Sequence, residues 1–539
     1  MRDYNHHPGK ATIRPERSRT ATLTDERSIS GAESLVHTLV GSGVDHCFTN
    51  PGTSEMHFVA ALDRVPGIRC VLALFEGVAT GAADGYARLT GGPAATLLHC
   101  GPGLANGLAN LHNAQRARVP LVNIIGDQAT YHRGFDAPLT SDIEGWARPV
   151  SVWTQTARSA ESVGLDAAAA VQAARDACGI ATLILPSDVS WNKGGVPARP
   201  LPLASPLPVA PAIVANIARV LRSGEPAILM IAGAGLEPKA LADAHGIAAA
   251  TGAKLFAPTF NRLIQRGRGR HPIAPLPYRI DQAVAALAGT RHLILVGAQE
   301  PAGFFAYPDK PSLMKPNGSI VHVLARPEED VVGALAALAE ELVTPPVPVL
   351  PANRPEPAHG SMTSAAVAQT LAALIPENAV IVDESISFGF AFYPGTKDAA
   401  PHDWLQVTGG AIGGGLPLAT GAAVAAPGRR VINFEGDGSA LYTIQALWTQ
   451  ARERLNVTTV ILSNRKYAIL ELELANVGAN PGRAALDLFD LGNPALDWIR
   501  LAGAMGVEGA RAETLEELTD LLAVSNQREG PFLIELVIP

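Results

Sequence analysis

Short apolar runs alternate with longer amphipathic segments along most of the chain. In the first third, the runs RCVLALF, AATLLHC, PLVNIIGD and IATLILPSD each end in a turn residue or a charge, as buried parallel strands do. The middle third contains AILMIAGAG, KLFAPTF and HLILVGA, and the last contains AVIVDES, RVINFEGDG, TTVILSN and FLIELVI. Each third therefore predicts an α/β sheet with right-handed crossovers.

Two proline-rich segments interrupt this alternation, at residues 196–211 and 343–357. Because proline fixes φ and removes a backbone donor, such segments form extended connections between compact units. We therefore predict three domains of ordinary size, at residues 29–195, 196–350 and 351–539. The predicted fold class is α/β, with one mostly parallel sheet in each domain.

The composition is that of a globular enzyme. Of the 539 residues, 47% are hydrophobic and 17% are charged, and no apolar run is long enough to span a membrane. The net charge of −8 comes without a basic stripe, so we expect no nucleic-acid partner. The four cysteines form no CxxC pair and indicate reduced thiols in the cytoplasm. Residues 1–28 lack the apolar stretch of a signal peptide, so we expect a disordered tail.

An acidic Gly-Asp-Gly turn and an asparagine fall at the ends of two successive predicted strands, RVINFEG and VTTVILS. Between these strands, apolar side chains recur every three or four residues and predict an amphipathic helix: Ile444, Leu447, Trp448, Ala451 and Leu455. Asp437 and Asn464 are 27 residues apart, about one βαβ unit. We therefore expect both at the carboxyl edge of one sheet, where open α/β sheets bind their ligands.

Oxygen atoms at this edge suit a hard metal ion. A carboxylate, an amide oxygen and a backbone carbonyl are ligands that Mg²⁺ or Ca²⁺ takes. Gly436 and Gly438 allow the backbone to approach a phosphate closely. A turn with a strand cap is the simpler interpretation of an isolated Gly-Asp-Gly, but the spacing and the strand-end placement favour the metal site.

This GDGS sequence, followed by an asparagine one crossover later, resembles the cofactor motif of thiamine diphosphate (ThDP) enzymes. The resemblance covers nearly the whole chain after the tail; it is strongest to the benzoylformate decarboxylases and second to the acetolactate synthases. It implies a pyrimidine-binding, a central and a diphosphate-binding domain. The implied ligands of Mg²⁺ are Asp437, Asn464 and the backbone carbonyl of Lys466. The implied cofactor contacts beside them are Gly436, Gly438 and Ser439. Ser463 replaces the first of two asparagines usual in the family, but the ligand position is kept.

Glu76 follows the apolar strand VLALF and precedes the small-residue helix GVATGAADGYA. We expect it at the carboxyl end of a strand and partly desolvated. A solvated glutamate favoured by the helix macrodipole is the simpler interpretation. The resemblance implies that Glu76 both binds and activates ThDP: it hydrogen-bonds the aminopyrimidine ring, so that a proton can leave the reactive carbon, C2 of the thiazolium.

A glycine-rich loop, TGGAIGGG, precedes a predicted helix and does not match the GxGxxG pattern of dinucleotide-binding proteins. The resemblance implies that this loop folds under the cofactor. Gly410 would bind the amine through its carbonyl, and Ile412 would be the apolar wedge that bends ThDP so that the amine approaches C2. The segment DESIS offers Ser385 and Ser387 as diphosphate contacts, of which Ser387 is the better match.

Two further segments after apolar strands, NPGTSE and LLHCGPGLANG, carry the residues that resemblance to benzoylformate decarboxylase assigns to the substrate. Thr53 would lie near the substrate carboxylate, and His99 would relay protons near neutral pH. A histidine satisfied at a strand end is the alternative for His99. His132 is a second, weaker candidate.

The chain also departs from both families. Phe304 and Phe305 fall near the position of a second catalytic histidine, and neither can transfer a proton. Ile469 stands where the decarboxylase has a small residue, and Asp127 where acetolactate synthases have glutamine. GAGLEP breaks the GxGxxG pattern and no FAD signature is convincing, so the cofactor content of the central domain stays open.

These features predict a lyase or carboligase that uses ThDP and Mg²⁺ on a 2-oxo acid. The alternatives are an acetolactate synthase, which joins two 2-oxo acids, and a ThDP-binding relative without turnover. An NAD(P) oxidoreductase lacks its fingerprint. The resemblance also implies a homodimer or homotetramer in which Glu76 of one chain meets Asp437 of another across a two-fold interface.

Overall fold

The computed structural model describes residues 28–349 and 351–539 and contains three sheets, which confirms the predicted α/β class. The predicted tail lies outside the described residues except for Ser28. None of the described helices combines the length and the apolar character that crossing a membrane requires.

The first sheet has six parallel strands in the order β2-β1-β3-β4-β6-β5. The strands are β1 (His46–Asn50), β2 (Arg69–Leu72), β3 (Ala94–Leu98), β4 (Leu121–Asp127), β5 (Trp153–Thr156) and β6 (Ile180–Pro186). The helices are α1 (Gly31–Gly41), α2 (Met56–Leu62), α3 (Glu76–Thr90), α4 (Cys100–Ala117), α5 (Ile143–Ala147), α6 (Val163–Asp176) and α7 (Ser187–Trp191). Both β4 and β6 are buried along their whole length, because apolar clusters cover both faces of the sheet.

The middle third of the chain builds the second sheet and lends one strand to the third. Its strands are β7 (Ala227–Ile231), β8 (Lys254–Ala257), β9 (Ile264–Arg266), β10 (Ala274–Pro275), β11 (His292–Val296) and β12 (Ile320–Ala325). Its helices are α8 (Pro211–Arg222), α9 (Pro238–Thr251), α10 (Ile280–Leu287) and α11 (Val331–Glu341). The second sheet is parallel, in the order β10-β8-β7-β11-β12.

The third sheet has seven strands in the order β17-β18-β16-β15-β13-β14-β9. Its own strands are β13 (Val380–Glu384), β14 (His402–Gln406), β15 (Val431–Gly436), β16 (Val457–Ser463), β17 (Glu508–Ala512) and β18 (Phe532–Val537). Its helices are α12 (Ser364–Leu374), α13 (Phe392–Gly395), α14 (Gly415–Ala425), α15 (Asp437–Ala440), α16 (Ala446–Arg452), α17 (Ala468–Asn476), α18 (Arg483–Asp487), α19 (Trp498–Ala504) and α20 (Leu515–Gln527). Only β9, which comes from the middle third, runs antiparallel to its neighbour in this part of the structure.

The helix predicted after the Gly-Asp-Gly turn is shorter than its pattern suggests. The structure forms a single turn, α15, directly after β15, and the amphipathic helix α16 begins only at Ala446. Thr443, between the two, donates from its hydroxyl to the carbonyl of Gly413 at 2.8 Å. This contact with the glycine-rich loop is long-range, so the local pattern could not predict the break.

Helices α3 and α14 cross at close range and join the first sheet's layer to the third. A Cβ at Gly85 would overlap the backbone oxygen of Leu418, and a Cβ at Gly421 would overlap that of Ala82. Glycine is therefore required at both positions, because it lets the two backbones approach each other. The helix that begins with Glu76 is thereby fixed against the helix that follows the glycine-rich loop.

His402 lies fully buried on β14 and its Nδ1 hydrogen-bonds the carbonyl of Ala400 at 2.7 Å. Burial, together with the charge of Arg266, lowers the pKa of His402 to about 3. As the pH falls, the imidazole of the unfolded chain becomes protonated near pH 6.5, about three pH units above the pH at which the folded one does. The native state therefore has its full stability above about pH 6.5 and loses roughly 1.4 kcal/mol per pH unit as the pH falls toward 3.

We predict that His402→Gln reduces this acid sensitivity, because glutamine does not titrate. Between pH 7 and 5 the variant should lose about 2 kcal/mol less unfolding free energy than the wild type, measured by urea unfolding at each pH. His359→Gln, which removes an exposed histidine, is the control and should follow the wild type. Parallel pH profiles for all three proteins would contradict the prediction.

Candidate functional site

A cavity of about 1470 Å³ opens at the carboxyl ends of the third sheet's central strands. Nine of the twelve site residues predicted from the sequence line it: Ser387, Gly410, Ile412, Gly436, Asp437, Gly438, Ser439, Asn464 and Lys466. The segments after β13, β14, β15 and β16 converge there, because parallel strands end on the same edge of their sheet.

Asp437 and Asn464 belong to one hydrogen-bonded turn system. The Asp437 carboxylate accepts from the amides of Gly438 at 2.9 Å and Arg465 at 2.6 Å. The Asn464 side-chain oxygen accepts from the amide of Lys466 at 3.1 Å, and Arg465 between them is left-handed with φ +58°. Burial raises the pKa of Asp437 to about 6. The groups that hold this carboxylate are neutral amides, so a cation beside it would compensate its buried charge.

Two neighbours of Asp437 favour an oxygen-rich ligand. The Ser439 hydroxyl is buried and has no hydrogen-bond partner among the described residues. A Cβ at Gly438 would overlap the ring of Tyr467, so glycine is required where the chain passes the cavity. The carboxylate, amide and carbonyl oxygens at this edge are a donor set that Mg²⁺ accepts. These residues therefore fit a metal-bound diphosphate.

The glycine-rich loop is hydrogen-bonded to Glu384, the last residue of β13. Its carboxylate accepts from the amides of Gly413 at 2.8 Å and Gly415 at 2.5 Å. Burial raises the pKa of Glu384 to about 7. Burial and the charge of Glu384 raise the pKa of the neighbouring Glu435 well above its ordinary range. A protonated Glu435 can donate to Glu384, which leaves the Glu384 oxygens to accept from the loop.

The same loop is also hydrogen-bonded to helix α4. Asn113 donates to the carbonyl of Ala411 at 2.8 Å and accepts from its amide at 3.2 Å. Ala411 stands between Gly410 and Ile412, which both line the cavity. Gly410 is left-handed, with φ +76°, and a Cβ there would overlap the ring of Phe304. The loop therefore presents Ile412 to the cavity in one fixed conformation.

The other three predicted residues lie together at the carboxyl ends of the first sheet. Glu76 is the first residue of α3 and is buried, as its desolvated placement requires. Its carboxylate accepts from Asn50 at 3.3 Å and from Asn106 at 2.9 Å. Thr53 is exposed at the start of the short turn Thr53–Glu55. A buried carboxylate held by two amides is positioned as a hydrogen-bond acceptor, not as a solvated helix cap.

His99 precedes α4 and has a buried acidic partner that the sequence did not indicate. Its Nδ1 lies 3.0 Å from a carboxylate oxygen of Glu55 and 2.9 Å from the hydroxyl of Ser54. Glu55 is fully buried and also accepts from the amide of Gly52 at 2.7 Å. Cys100 completes a group in which one ligand atom from each of Glu55, His99 and Cys100 lies within 4.8 Å of the others. Because Glu55 accepts at Nδ1, the pair favours the tautomer whose Nε2 is free to accept a proton.

The remaining candidates fall in different places. His132 lies in an exposed turn, 5.8 Å from the ring of Phe135, and Asp127 forms an ion pair with Arg133. Phe304, Phe305 and Ile469 line the large cavity: all three face the space that Ile412 faces. Ser385 donates to Asp383 at 2.5 Å, which leaves Ser387 as the freer of the two serines.

The two groups of residues face different spaces within one chain. The lining of the large cavity lies between His245 and Ile538, whereas Glu76 and His99 belong to the first sheet and its helices. The sequence missed Glu55, Asn106, Asn113 and Glu384 as supports. The one local feature that could have indicated a role for Glu384 is its position as an acidic residue at the end of an apolar strand.

Comparison with known proteins identifies the family. Residues 29–148 match the N-terminal TPP binding domain of thiamine pyrophosphate enzymes, and residues 391–536 match the C-terminal TPP binding domain. The chain is 52% identical over 514 residues to IlvX of Mycobacterium tuberculosis, a protein provisionally named an acetolactate synthase large subunit; the match covers 95% of this chain and 99% of the relative.

Decarboxylases are also similar to it. Benzoylformate decarboxylase of Pseudomonas aeruginosa is 32% identical over 526 residues, covering 92% of this chain and 96% of the relative. A ThDP-dependent 4-hydroxybenzoylformate decarboxylase of Rhodococcus jostii superposes with a TM-score of 0.80 at 27% identity, covering 94% of this chain and 98% of that structure. The chain belongs to the family of ThDP-dependent enzymes.

We predict that Glu384→Gln loosens the glycine-rich loop. The glutamine side chain has only one acceptor oxygen, so its NH₂ group would face the backbone N–H of either Gly413 or Gly415, and that hydrogen bond would be lost. The variant should lose about 1–3 kcal/mol of unfolding free energy, measured by urea unfolding. Hydrogen exchange, followed by mass spectrometry, should speed up in residues 409–415. Glu377→Gln, which changes an exposed glutamate just before β13, should do neither. Unchanged exchange in the loop of Glu384→Gln would contradict this role.

Proposed function

We propose that this protein is a Mg²⁺- and ThDP-dependent lyase that decarboxylates a 2-oxo acid without oxidation. The observation that carries the proposal is the cavity that gathers Asp437, Asn464 and Lys466 beside the Ile412 loop. When bound, ThDP supplies the nucleophilic carbon and the electron sink that this decarboxylation needs. The residues of the chain bind the cofactor, hold protons and shape the substrate space.

The metal-binding role falls to the turn system after β15 and β16. Asp437, the Asn464 side chain and the Lys466 carbonyl would hold Mg²⁺, since all three line the cavity and supply oxygen atoms. The diphosphate would be bound by the hydroxyls and glycine backbone around them: Ser387, Ser439, Gly436 and Gly438. The unpartnered Ser439 hydroxyl supports this assignment.

Glu76 is the residue that would hold the activating proton. Asn50 and Asn106 fix its two carboxylate oxygens, so it can accept or give a proton at one place without moving. Gly410 would offer its carbonyl to the cofactor amine and Ile412 would contact the cofactor from the loop, since both line the cavity. His99, fixed by Glu55, would move protons at the substrate carbon, and Thr53 would bind the substrate carboxylate.

A second candidate is carboligation of the acetolactate synthase type, in which the activated acyl group is passed to another 2-oxo acid. The 52% identity to IlvX favours it. Carbon dioxide release accompanies both reactions, so product analysis separates them: an aldehyde indicates the lyase and a 2-hydroxy-2-alkyl-3-oxo acid indicates the ligase. A relative without turnover would release no carbon dioxide from any 2-oxo acid.

The active site would form between two chains. Glu76 and the metal-binding cavity face different spaces in one chain. The cavity also exposes large side chains that a partner would cover: Phe304 is 44% exposed, Phe305 54% and Tyr442 54%. We therefore propose a homodimer at least, or a homotetramer, with each site built across a two-fold axis. The four free cysteines support a reducing, cytoplasmic setting.

We predict that Glu76→Gln lowers kcat by roughly 10²–10⁴-fold, because glutamine keeps the shape but cannot hold the proton. ThDP should still bind with Mg²⁺, measured by calorimetry, and exchange of the cofactor C2 proton with deuterium should slow by a similar factor. Glu144→Gln, which removes another first-turn glutamate from α5, controls for the effect of the helix dipole. Equal C2 exchange in Glu76→Gln and wild type would remove Glu76 from the reaction.

The shared site predicts complementation between two inactive variants. Asp437→Ala should abolish ThDP binding by removing a charged metal ligand, and Glu76→Gln should be inactive for the reason above. Co-expressed with different tags and isolated as a mixed dimer, the two variants should recover about half of the wild-type activity, because one of the two sites then carries neither change. An inactive mixed dimer would place both residues in the same chain's site.

A further inference from the structure

Glu473, on α17, carries a carboxylate into the wall of the large cavity. Tyr278 donates its hydroxyl to one carboxylate oxygen at 3.1 Å, and Tyr307 donates to the other. Asn476 approaches that second oxygen at 3.5 Å. In the part of the chain that the structure describes, these hydrogen-bonding partners are two phenols and an amide, so none of them neutralises the carboxylate.

Aromatic rings connect this carboxylate to the glycine-rich loop. Phe304 packs against Gly410, and the Phe304 and Tyr278 ring centroids are 5.6 Å apart. Phe260 and Phe390 complete the wall, 6.4 Å and 6.0 Å from the Tyr278 ring. A molecule lying along this wall from the loop would therefore meet apolar faces first and the hydroxyl-bound carboxylate at the far end.

The two phenols stay protonated beside the charge. Burial and the proximity of Glu473 raise the pKa of both Tyr278 and Tyr307. Each O–H is committed to Glu473, so the phenol oxygens and the remaining lone pairs of the carboxylate can only accept further hydrogen bonds. The far end of the wall is thus rich in acceptors and negatively charged, which disfavours an apolar or anionic group there.

We propose that Glu473, positioned by Tyr278 and Tyr307, is a specificity-determining residue that selects 2-oxo acids whose side chain is an apolar stem ending in a hydrogen-bond donor. This inference rests on the proposed function and names the substrate class of the same site. A cationic end group is favoured over a hydroxyl, because it also pairs with the charge of the half-buried carboxylate and stacks on the aromatic faces. An acid with a plain hydrocarbon end leaves the carboxylate desolvated without a new partner.

The test compares acids that differ only at the far end. Carbon dioxide release is measured for phenylglyoxylate and its 4-hydroxy and 4-aminomethyl derivatives, and for 5-guanidino-2-oxopentanoate against 2-oxooctanoate, with pyruvate and 2-oxobutanoate as small references. The wild type should favour the donor-bearing member of each set in kcat/KM by roughly 10- to 100-fold. The cationic derivative should exceed the hydroxyl one.

Glu473→Gln should abolish the preference for the cationic acids, mainly through KM, because glutamine is neutral although its oxygen still accepts. It should leave kcat for the hydrocarbon-ended acids within about threefold of wild type. Tyr307→Phe should weaken the preference partly, because one positioning bond is lost. Glu471→Gln, on the same helix but exposed and paired with the Lys466 ammonium, is the matched control and should keep the wild-type ranking.

Each outcome decides between the two proposals. If the wild type turns over 2-oxo acids without a donor preference, or if Glu473→Gln retains the preference for the cationic acids, the role of Glu473 is wrong and the proposed function stands. If the wild type releases carbon dioxide from none of the acids, including pyruvate and 2-oxobutanoate, the proposed function is wrong and this inference falls with it.

Discussion

The candidate site depends on one short loop whose backbone is held from two directions. Glu384 accepts two amides of the segment from Gly413 to Gly415, and Asn113 forms a reciprocal pair with Ala411. Glycine-rich segments have many accessible conformations and lose much entropy when they are ordered. These side-chain contacts restrict the loop to one conformation, so Ile412 is presented to the cavity before any ligand binds. Preorganisation of this kind lowers the cost of binding a cofactor.

The supports of the loop also couple the two halves of the molecule. Asn113 lies on α4, whose start follows His99, and α14, which follows the loop, crosses α3 through Gly85 and Gly421. The first-sheet residues and the third-sheet cavity therefore share a rigid frame within each chain. In the two-fold assembly proposed above, Glu76 of one chain would lie opposite this cavity of the other.

The sequence predicted the elements and much of the candidate site, because those signals are local. Buried strands appear as continuous apolar runs, and Asp437 and Asn464 stand at strand ends that periodicity locates. The sequence did not indicate the supporting roles of Glu384, Glu55 and Asn113. Their hydrogen-bonding partners are 29 to 298 residues away in the chain, and the contacts depend on the exact path of a loop. The break between α15 and α16 and the transfer of β9 to the third sheet have the same cause: distant contacts overrule local pattern.

The position of β9 has a consequence for how such chains can be recombined. Exchanging the central segment between relatives at the two proline-rich connections would replace Phe260, Tyr278 and Phe304 of the aromatic wall, but it would also remove the antiparallel strand that pairs with β14. The host sheet would then receive a foreign edge strand, or it would expose the unpaired amides of β14 to other chains. A functional chimera therefore has to keep residues 264–266 from the parent that supplies the third sheet, so the natural unit of exchange is discontinuous in sequence.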